Sequence, residues 1–194
     1  MVLPIVKYGH PVLRQRGAKV EAVTPEIQQL IADMLDTMKA ARGVGLAAQQ
    51  VGRALLLTVL DVREATDRPS VMSIDGQPVD PASHMPMVLI NPEIRPTGTP
   101  VAGPEGCLSF PEIYADIIRP ESVEVQATDP SGRKITFWAG GLLGRAVQHE
   151  VDHLKGILFI DRMSSEKKRE LQVELDDLQA ETKAALALAP APAR

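Results

Sequence analysis

The hydrophobic positions of the chain predict two amphipathic helices within the first 155 residues. Thr24 and Pro25 are typical of a helix N-cap and first turn, and the apolar residues that follow repeat with a helical period to about Ala41. From Gly141 to about Lys155 the pattern is helical again, with a polar cluster inside it. The apolar stripe of the first helix consists of Ile27, Leu30, Ile31, Met34, Leu35 and Met38.

Shorter apolar runs between these helices predict β-strands. Residues 55–60 and 88–90 are short apolar runs, as expected for buried strands. Apolar and polar residues alternate over 123–127 and again from Ile135, and Asp-Pro-Ser-Gly lies between them at 129–132. Two alternating runs joined by such turn residues predict a β-hairpin.

Strands joined by hairpins around a central helix predict an α+β fold. We expect antiparallel β-sheets packed around the second helix, with one further helix near each end of the chain. A short apolar run at 157–160 predicts one more strand. The stretch 63–86 is rich in proline and polar residues and indicates an exposed excursion or hairpin, to which the pattern assigns no function.

The last 30 residues predict a C-terminal helix followed by a tail. Ser164 or Ser165 is a suitable N-cap, and Leu171, Leu175 and Leu178 follow along one side. We therefore divide the chain into a domain at 1–163, a helix at 164–188 that packs on or extends from it, and a disordered Ala/Pro tail at 189–194.

Composition narrows the class of protein. Of 194 residues, 44% are hydrophobic and 24% charged, the usual balance of a globular protein. The formal net charge of -4 argues against a broad nucleic-acid-binding surface, which needs clustered positive charge. No apolar run approaches the roughly 18 residues of a membrane span. The N-terminus also lacks the layout of a signal or transit peptide, so we expect a cytoplasmic protein.

The predicted second helix carries an HExxH motif, His-Glu-Val-Asp-His at 149–153. Residues at positions i and i+4 share one helix face, so His149 and His153 can bind a single metal ion. Glu150 is rotated by about 100° from His149. It is therefore badly placed as a ligand but can act as general base towards a water molecule. A solvated helix face with two incidental histidines is the alternative, disfavoured by the apolar neighbours Ala146, Val147 and Leu154.

A catalytic site of this kind usually has three protein ligands and one open position. No histidine follows His153, which excludes the three-histidine metzincin pattern. The only cysteine, Cys107, lies in Glu-Gly-Cys-Leu-Ser at 105–109 and is either a small buried hydrophobe or a metal-bound thiolate. A thiolate beside two imidazoles suits zinc or iron(II). We assign the glutamates that follow the motif to the surface of the terminal helix, namely Glu166, Glu170, Glu174 and Glu181.

A third segment, Gly-Val-Gly-Leu-Ala-Ala-Gln-Gln at 43–50, loosely matches a dinucleotide-binding fingerprint, with Asp61 downstream. That fingerprint must follow a strand and open a helix, whereas this segment follows a helix and leads towards a strand. Nucleotide binding is therefore disfavoured. Gln50 alone is more typical of a residue that satisfies loop backbone groups.

Together, the three segments resemble the three signature motifs of the peptide deformylase family, in the family's order. Residues 9–14 resemble its N-terminal segment, and Gly141-Leu142-Leu143 resembles the lead-in to its metal-binding helix. The resemblance runs from about Leu3 to Arg169. It implies a hydrolase that removes the formyl group from the N-terminal methionine of newly made proteins. The matched segments are residues 43–50, 105–109 and 148–153.

The resemblance also implies the metal ligands. Cys107, His149 and His153 would bind one divalent ion, with water in the fourth position. The family suggests iron(II) as the native metal, and a purified sample could hold zinc, nickel or cobalt, since sulfur and imidazole ligands suit all four ions.

The catalytic roles implied by the resemblance fall on three residues. Glu150 would take a proton from the metal-bound water as hydroxide attacks the formyl carbon, and would deliver it to the departing amine. The oxyanion would be stabilised by the metal, the side-chain amide of Gln50 and the backbone N–H of Leu108.

A pocket for the methionine side chain is implied as well. Glu105 could instead orient the site through hydrogen bonds, and Arg145 could point outward or contribute only its aliphatic stem. Tyr114 stands where many family members carry arginine, so the resemblance does not determine how the peptide beyond the methionine is held. The candidate substrate contacts are Val44, Gly45, Gly103, Glu105, Tyr114, Leu142, Arg145 and Ala146, beside His149.

Three other functions are weighed against this one. A general metallopeptidase would cleave internal peptide bonds and would not need Cys107. A structural metal site is normally closed by four protein ligands, and only three are found. A family member that binds without catalysis is disfavoured because every chemical residue is present.

The expected partners are formyl-methionyl nascent peptides. A transient ribosome contact through Lys167, Lys168 and Arg169 is weighed against a plain solvated helix. The sequence indicates no membrane partner and no nucleic-acid site.

Overall fold

The computed structural model describes residues 1–188, and its helices lie close to the predicted positions. Thr24 caps the first helix by accepting a hydrogen bond from the N–H of Ile27, and Ser164 caps the third in the same way. The C-terminal helix is interrupted at Leu171, so two helices replace the single predicted one. The predicted tail, 189–194, lies outside the described residues. The helices are α1 (Pro25–Ala40), α2 (Gly141–Leu154), α3 (Ser165–Glu170) and α4 (Gln172–Leu188).

Seven strands within residues 1–188 pair in the order β1-β2-β5-β6-β7-β3-β4, and every pair is antiparallel. The predicted hairpin at 123–137 is confirmed as the end of β6 and the start of β7. The stretch 63–86 contains a hairpin, β3–β4. The strands are β1 (Gly45–Ala47), β2 (Leu57–Leu60), β3 (Ser70–Ile74), β4 (Gln77–Val79), β5 (Met87–Cys107), β6 (Phe110–Thr128) and β7 (Lys134–Gly140).

Strand β5 is far longer than the apolar run that predicted it. Prolines at every fourth position from Pro92 to Pro104 hide the strand in the sequence, because proline cannot donate to a ladder. The structure accommodates them because β2 pairs only with the first residues of β5, Met87–Ile90. The pairing with β6 also shifts register between Ile90 and Glu93 and again between Thr97 and Pro100. Proline is tolerated at such edges and bulges.

The predicted strand at 157–160 is wrong. Phe159–Asp161 forms a short 3₁₀ helix instead, and the Asp161 carboxylate accepts a hydrogen bond from the N–H of Leu158 at 2.9 Å. The run is apolar because Leu158, Phe159 and Ile160 are all buried, at about 1% exposure each. Burial alone does not distinguish a strand from a turn in so short a segment.

Helix α2 lies at the centre of the fold, and the predicted α+β arrangement is confirmed. It packs against six of the seven described strands, and nearly all of its residues are buried. A Cβ atom at Gly144 would lie 2.7 Å from the carbonyl oxygen of Ala139, so this glycine lets the helix approach β7 closely. The polar HExxH residues are consequently enclosed by protein.

The C-terminal helix packs on the rest of the chain. Leu175 of α4 is buried in one cluster with Val12 and Phe110, and Leu171 and Leu178 pack against the same cluster. The division of the chain at residue 163 stays a prediction. No helix among residues 1–188 combines the length and the apolar character that a membrane span requires.

Candidate metal centre and active site

Three side chains that are far apart in the sequence bring their ligand atoms together. One ligand atom each of Cys107, His149 and His153 lies within 4.8 Å of the other two. The Sγ atom of Cys107 is 3.2 Å from Nε2 of His153, and the two imidazole centroids are 5.0 Å apart. The structure therefore places the three predicted ligands around one point.

The secondary structure explains this convergence. His149 and His153 are one helical turn apart on α2, so both rings project from one face. Cys107 ends β5, directly after a register shift between Gly106 and Cys107. Such an irregularity redirects a side chain at the end of a strand, and here the thiol lies against the helix.

Glu150 follows His149 directly on helix α2 and lies beside the three candidate ligands. Its side chain is buried, and its Oε2 atom has no hydrogen-bond partner among the described residues. Burial raises the pKa of the Glu150 carboxyl to about 7. A Cβ atom at Gly45 would lie 2.4 Å from Oε1 of Glu150, so only glycine at position 45 leaves room for the carboxylate.

Gln50 is oriented by its own loop. Its Oε1 atom accepts a hydrogen bond from the N–H of Ala47 at 2.9 Å, which fixes the amide plane. The Nε2 group then lies 3.5 Å from Sγ of Cys107 and 3.3 Å from Oγ of Ser109. The amide donor therefore lies next to the thiol, on the side of the site formed by 43–50.

Glu105 is the centre of a buried ionic network. Its carboxylate is 2.9 Å from Nδ1 of His149 and accepts hydrogen bonds from Arg119 and Arg145. Arg119 also donates to Asp152 at 2.8 Å. Burial opposes ionisation of Glu105, but hydrogen bonds from His149 and Arg119 hold the pKa of its carboxyl well below its usual range. Glu105 thus binds the Nδ1 side of the His149 ring, which fixes the orientation of that ring.

The sequence reasoning missed Arg119. A signal for it exists, because Ile113, Ala115, Ile117 and Arg119 alternate along β6 and the first three are buried. The strand period places Arg119 on the same inner face, where its side chain is 3% exposed. A charged residue in that position requires buried partners.

The electrostatics of the two histidines differ. Burial lowers the pKa of His153 well below its ordinary value, which favours the neutral imidazole that binds metals. Burial acts on His149 in the same direction, but hydrogen bonds with Cys107 and Glu105 raise the pKa of His149 well above its ordinary value. A metal ion that binds His149 would therefore have to displace a proton from this ring.

The ligand atoms fit a divalent metal ion. One thiolate and two imidazoles are a donor set that zinc and iron(II) favour. With Nδ1 of His149 bound to Glu105, Nε2 is the free ring nitrogen, and Glu105 supplies the outer hydrogen bond that metal-bound histidines commonly make. The glutamates at 166, 170, 174 and 181 are all exposed on α3 and α4, away from this point, as the sequence predicted.

A cavity of about 430 Å³ opens beside Cys107 and His149. It is lined by most of the predicted substrate contacts, namely Val44, Gly45, Glu105, Tyr114, Leu142, Arg145 and Ala146. Gly103 lies outside this lining and contacts Arg145 instead, through a hydrogen bond of 3.5 Å from Nη1 to its carbonyl oxygen. Tyr114 is 62% exposed at the rim.

Three basic residues that the sequence did not single out also line the cavity, namely Lys7, Arg42 and Arg68. The ammonium group of Lys7 donates to the carbonyl oxygen of Leu108 at 2.9 Å. Arg68, from the stretch 63–86, lies near Leu142 and Arg145. None of the three residues belongs to a motif, so no local pattern in the sequence could have identified them.

Arg145 points into the structure, which resolves the alternatives for this residue. Its guanidinium donates to the carbonyl oxygens of Val101 and Ile117 at 2.8 and 2.7 Å and to Glu105 at 2.9 Å. Residues of β5 and β6 thus hold the Arg145 guanidinium in place through these hydrogen bonds.

Known proteins with similar sequences are peptide deformylases. A peptide deformylase of Opitutus terrae is 44% identical over 193 residues, covering 98% of this chain and 100% of the relative. A peptide deformylase of Methylacidiphilum infernorum is 43% identical, covering 92% of this chain and 94% of the relative.

Solved structures that resemble this fold are peptide deformylases as well. Peptide deformylase 1B of Arabidopsis thaliana, in complex with an inhibitor, has a TM-score of 0.81 at 33% identity, covering 99% of this chain and 98% of that chain. Peptide deformylase from Thermus thermophilus has a TM-score of 0.77 at 37% identity, covering 93% of this chain and 99% of that chain.

The sequence model of the family described as polypeptide deformylase matches residues 2–169, most of the chain. This match and the similarity to relatives along nearly their whole length show that the chain belongs to the polypeptide deformylase family, metal-dependent hydrolases that remove the N-formyl group from the N-terminal methionine of newly synthesised proteins.

Proposed function

We propose that Cys107, His149 and His153 hold one divalent metal ion and that the adjoining cavity binds the formylated end of a nascent peptide. The observation that carries this proposal is the convergence of the three ligand atoms within 4.8 Å, beside a buried carboxylate oxygen of Glu150 with no partner among residues 1–188. An unsatisfied buried carboxylate oxygen is costly unless a ligand or water molecule satisfies it.

The bound ion would supply Lewis-acid chemistry, lowering the pKa of a water molecule and polarising the formyl carbonyl group. Glu150 accepts the proton of the attacking water and carries it to the nitrogen of the breaking C–N bond. The products are formate and a free amino terminus. Burial supports this role because a carboxyl with a pKa near 7 can both take up and release a proton at neutral pH.

Gln50 and Leu108 bind the oxyanion that develops on the formyl oxygen. The Gln50 amide is suited to this because Ala47 holds its oxygen and leaves Nε2 directed to the Cys107 side of the site. Leu108 follows Cys107 directly, so its backbone N–H is close to the same point. Donors fixed before the reaction stabilise such an oxyanion without reorganisation.

The methionine side chain occupies the part of the cavity lined by Val44, Leu142 and Ala146, beside the His149 ring. Gly45 supplies backbone without a side chain next to Glu150. Tyr114, at the exposed rim, contacts the peptide beyond the methionine, and Gly103 acts through its contact with Arg145.

The native ion is iron(II) in this proposal, and zinc, nickel and cobalt are the ions that replace it in purified protein. The enzyme acts in the cytoplasm, where nascent chains carry the formyl group. Lys167, Lys168 and Arg169, at the start of the C-terminal helices, are the residues through which it would contact the ribosome transiently.

Formate release from a formyl-Met peptide tests the reaction, with protein prepared anaerobically and loaded with iron or nickel. We expect release by the wild type and a loss of roughly 10²-fold or more in Glu150→Ala, with the metal retained. Glu166→Ala, which removes an exposed carboxylate of α3, is the matched control.

Two results would contradict the proposal. Absence of formate from metal-replete protein, with cleavage of internal peptide bonds instead, would make the chain a general metallopeptidase. Equal turnover of Glu150→Ala and Glu166→Ala would remove Glu150 from the mechanism.

A further inference from the structure

The stretch 63–86, to which the sequence pattern assigned no function, delivers one charged side chain to the candidate active site. Arg68 is half-buried and lines the same cavity as His149 and Glu150. The next residue, Pro69, is hydrogen-bonded to Leu142, and both Leu142 and Arg145 line this cavity together with Arg68.

Backbone contacts fix the position from which Arg68 extends. The carbonyl oxygen of Pro69 accepts a hydrogen bond from the N–H of Leu142 at 3.0 Å, and Oγ of Ser70 accepts one from the N–H of Leu143 at 3.1 Å. Gly141 has φ +62°, and a Cβ atom there would lie 2.3 Å from the oxygen of Pro69. The segment around Pro69 is thus docked on the first turn of α2. Leu142 takes part in this docking and also lines the candidate active-site cavity.

Arg68 also borders a second cavity of about 490 Å³, lined by Val101, Gly103 and the segment around Gly140. Among the described residues, only Arg68 and Arg145 line both cavities. These two residues therefore lie where the substrate cavity and its neighbour adjoin.

The two arginines differ in how firmly they are held. Arg145 donates to Glu105 and to the backbone oxygens of Val101 and Ile117. The guanidinium of Arg68 makes no hydrogen bond and no ion pair with any residue in 1–188; its backbone N–H alone is bonded, to Ala65. Of the two residues at this junction, Arg68 is therefore the one whose side chain can be displaced.

We propose that Arg68 sets the depth of the methionine pocket and thereby discriminates against first residues with longer side chains. The inference rests on the proposed function, because it requires the methionine side chain to point towards Leu142 and Arg145. A side chain of methionine length ends in front of the guanidinium. A longer apolar chain has to displace that group or bury carbon against an unpaired charge, which is unfavourable.

Formyl peptides that differ only in the first residue test this proposal. The substrates are formyl-Met and formyl-2-aminooctanoyl peptides, the second having a straight side chain two carbon atoms longer. We expect Arg68→Ala to raise the ratio of kcat/KM for the longer substrate over formyl-Met about tenfold, the scale of burying two more methylene groups.

Matched variants identify the cause of any change. Arg63→Ala removes the same charge from the same stretch, but Arg63 is exposed and paired with Asp61, so the ratio should stay at the wild-type value. Arg68→Met keeps the length without the charge and should give a ratio between the wild type and Arg68→Ala. Calorimetric binding of the two deformylated peptides to each protein should show the same order of preference.

The outcomes separate the two proposals. If the wild type releases formate from formyl-Met but Arg68→Ala leaves both the ratio and the binding preference unchanged, the role of Arg68 is refuted and the deformylase proposal stands. If the wild type releases no formate from either substrate, the proposed function is refuted, and the role of Arg68 is refuted together with it.

Discussion

The ammonium nitrogen of Lys7 lies 2.9 Å from the carbonyl oxygen of Leu108. The next residue, Tyr8, donates its backbone N–H to the carbonyl oxygen of Ser109, also at 2.9 Å. The N-terminal segment therefore holds the turn that carries the proposed oxyanion donor, and the charge of Lys7 acts on the Leu108–Ser109 peptide unit.

Lys7→Met should lower kcat by about tenfold and leave KM nearly unchanged, because a charge-assisted hydrogen bond contributes on the order of 1.5–3 kcal/mol. Steady-state kinetics with a formyl-Met peptide measure this split. Lys7→Arg keeps a cationic donor and should recover most of the loss. Equal losses in both variants, or a change confined to thermal stability, would assign Lys7 a purely structural role.

Cys107→Ala should lose most of its bound metal, because two imidazoles alone do not complete a three-ligand site. Elemental analysis after gel filtration measures the metal content. His84→Ala is the control, since His84 is exposed and outside the site. Full occupancy in the Cys107 variant would exclude the thiol as a ligand.

Arg119→Met should destabilise the fold by about 3 kcal/mol or more, because it leaves buried carboxylates of Glu105 and Asp152 with fewer partners. Urea unfolding of the metal-loaded protein measures the change. The control is Arg95→Met, which breaks an exposed ion pair with Glu124 and should cost at most about 1 kcal/mol. Equal costs for the two variants would contradict the importance of the buried network.

The ion pair between Arg14 and Asp161 should make stability depend on pH. Burial opposes ionisation of Asp161, but hydrogen bonds from Arg14 and from the N–H of Leu158 lower the pKa of its carboxyl. A carboxyl with a lower pKa in the folded state stabilises the fold above its unfolded-state pKa and loses that contribution as the pH falls.

Asp161→Asn should therefore be less stable than the wild type at pH 7, and the difference should shrink as the pH falls below about 4. Urea unfolding at a series of pH values from about 3 to about 7, which includes the range where carboxyl groups titrate, measures the difference in free energy of unfolding. Arg14→Met and the double variant complete a double-mutant cycle. A difference that stays constant over this range would show that the pair does not titrate with folding.

The sequence predicted the centre of the site because its chemistry is local. The spacing of His149 and His153 places two imidazoles on one helix face wherever the helix lies, and the only cysteine left few alternatives for a third ligand. The roles of Glu150, Gln50 and Leu108 stay predictions, although the structure brings these residues to the same place.

The surroundings of the site were not predictable in the same way. Arg119 and Lys7 contact residues distant in sequence, and Arg68 lines a cavity formed by such residues. Each of the three is an ordinary surface residue type. The sequence did not predict the full length of β5, because its regularly spaced prolines are typical of a loop. The register shifts between β5 and β6 show how the strand accommodates these prolines.

The cluster around Phe110 also determines when during folding the site can form. Its members extend from Val12, near the start of the chain, to Leu175 in α4, and its Phe159 ring lies 6.1 Å from the ring of His149. Such contacts require loop closure over nearly the whole chain, which slows folding. The hydrophobic cluster beside the candidate metal site is therefore complete only after α4 has been synthesised.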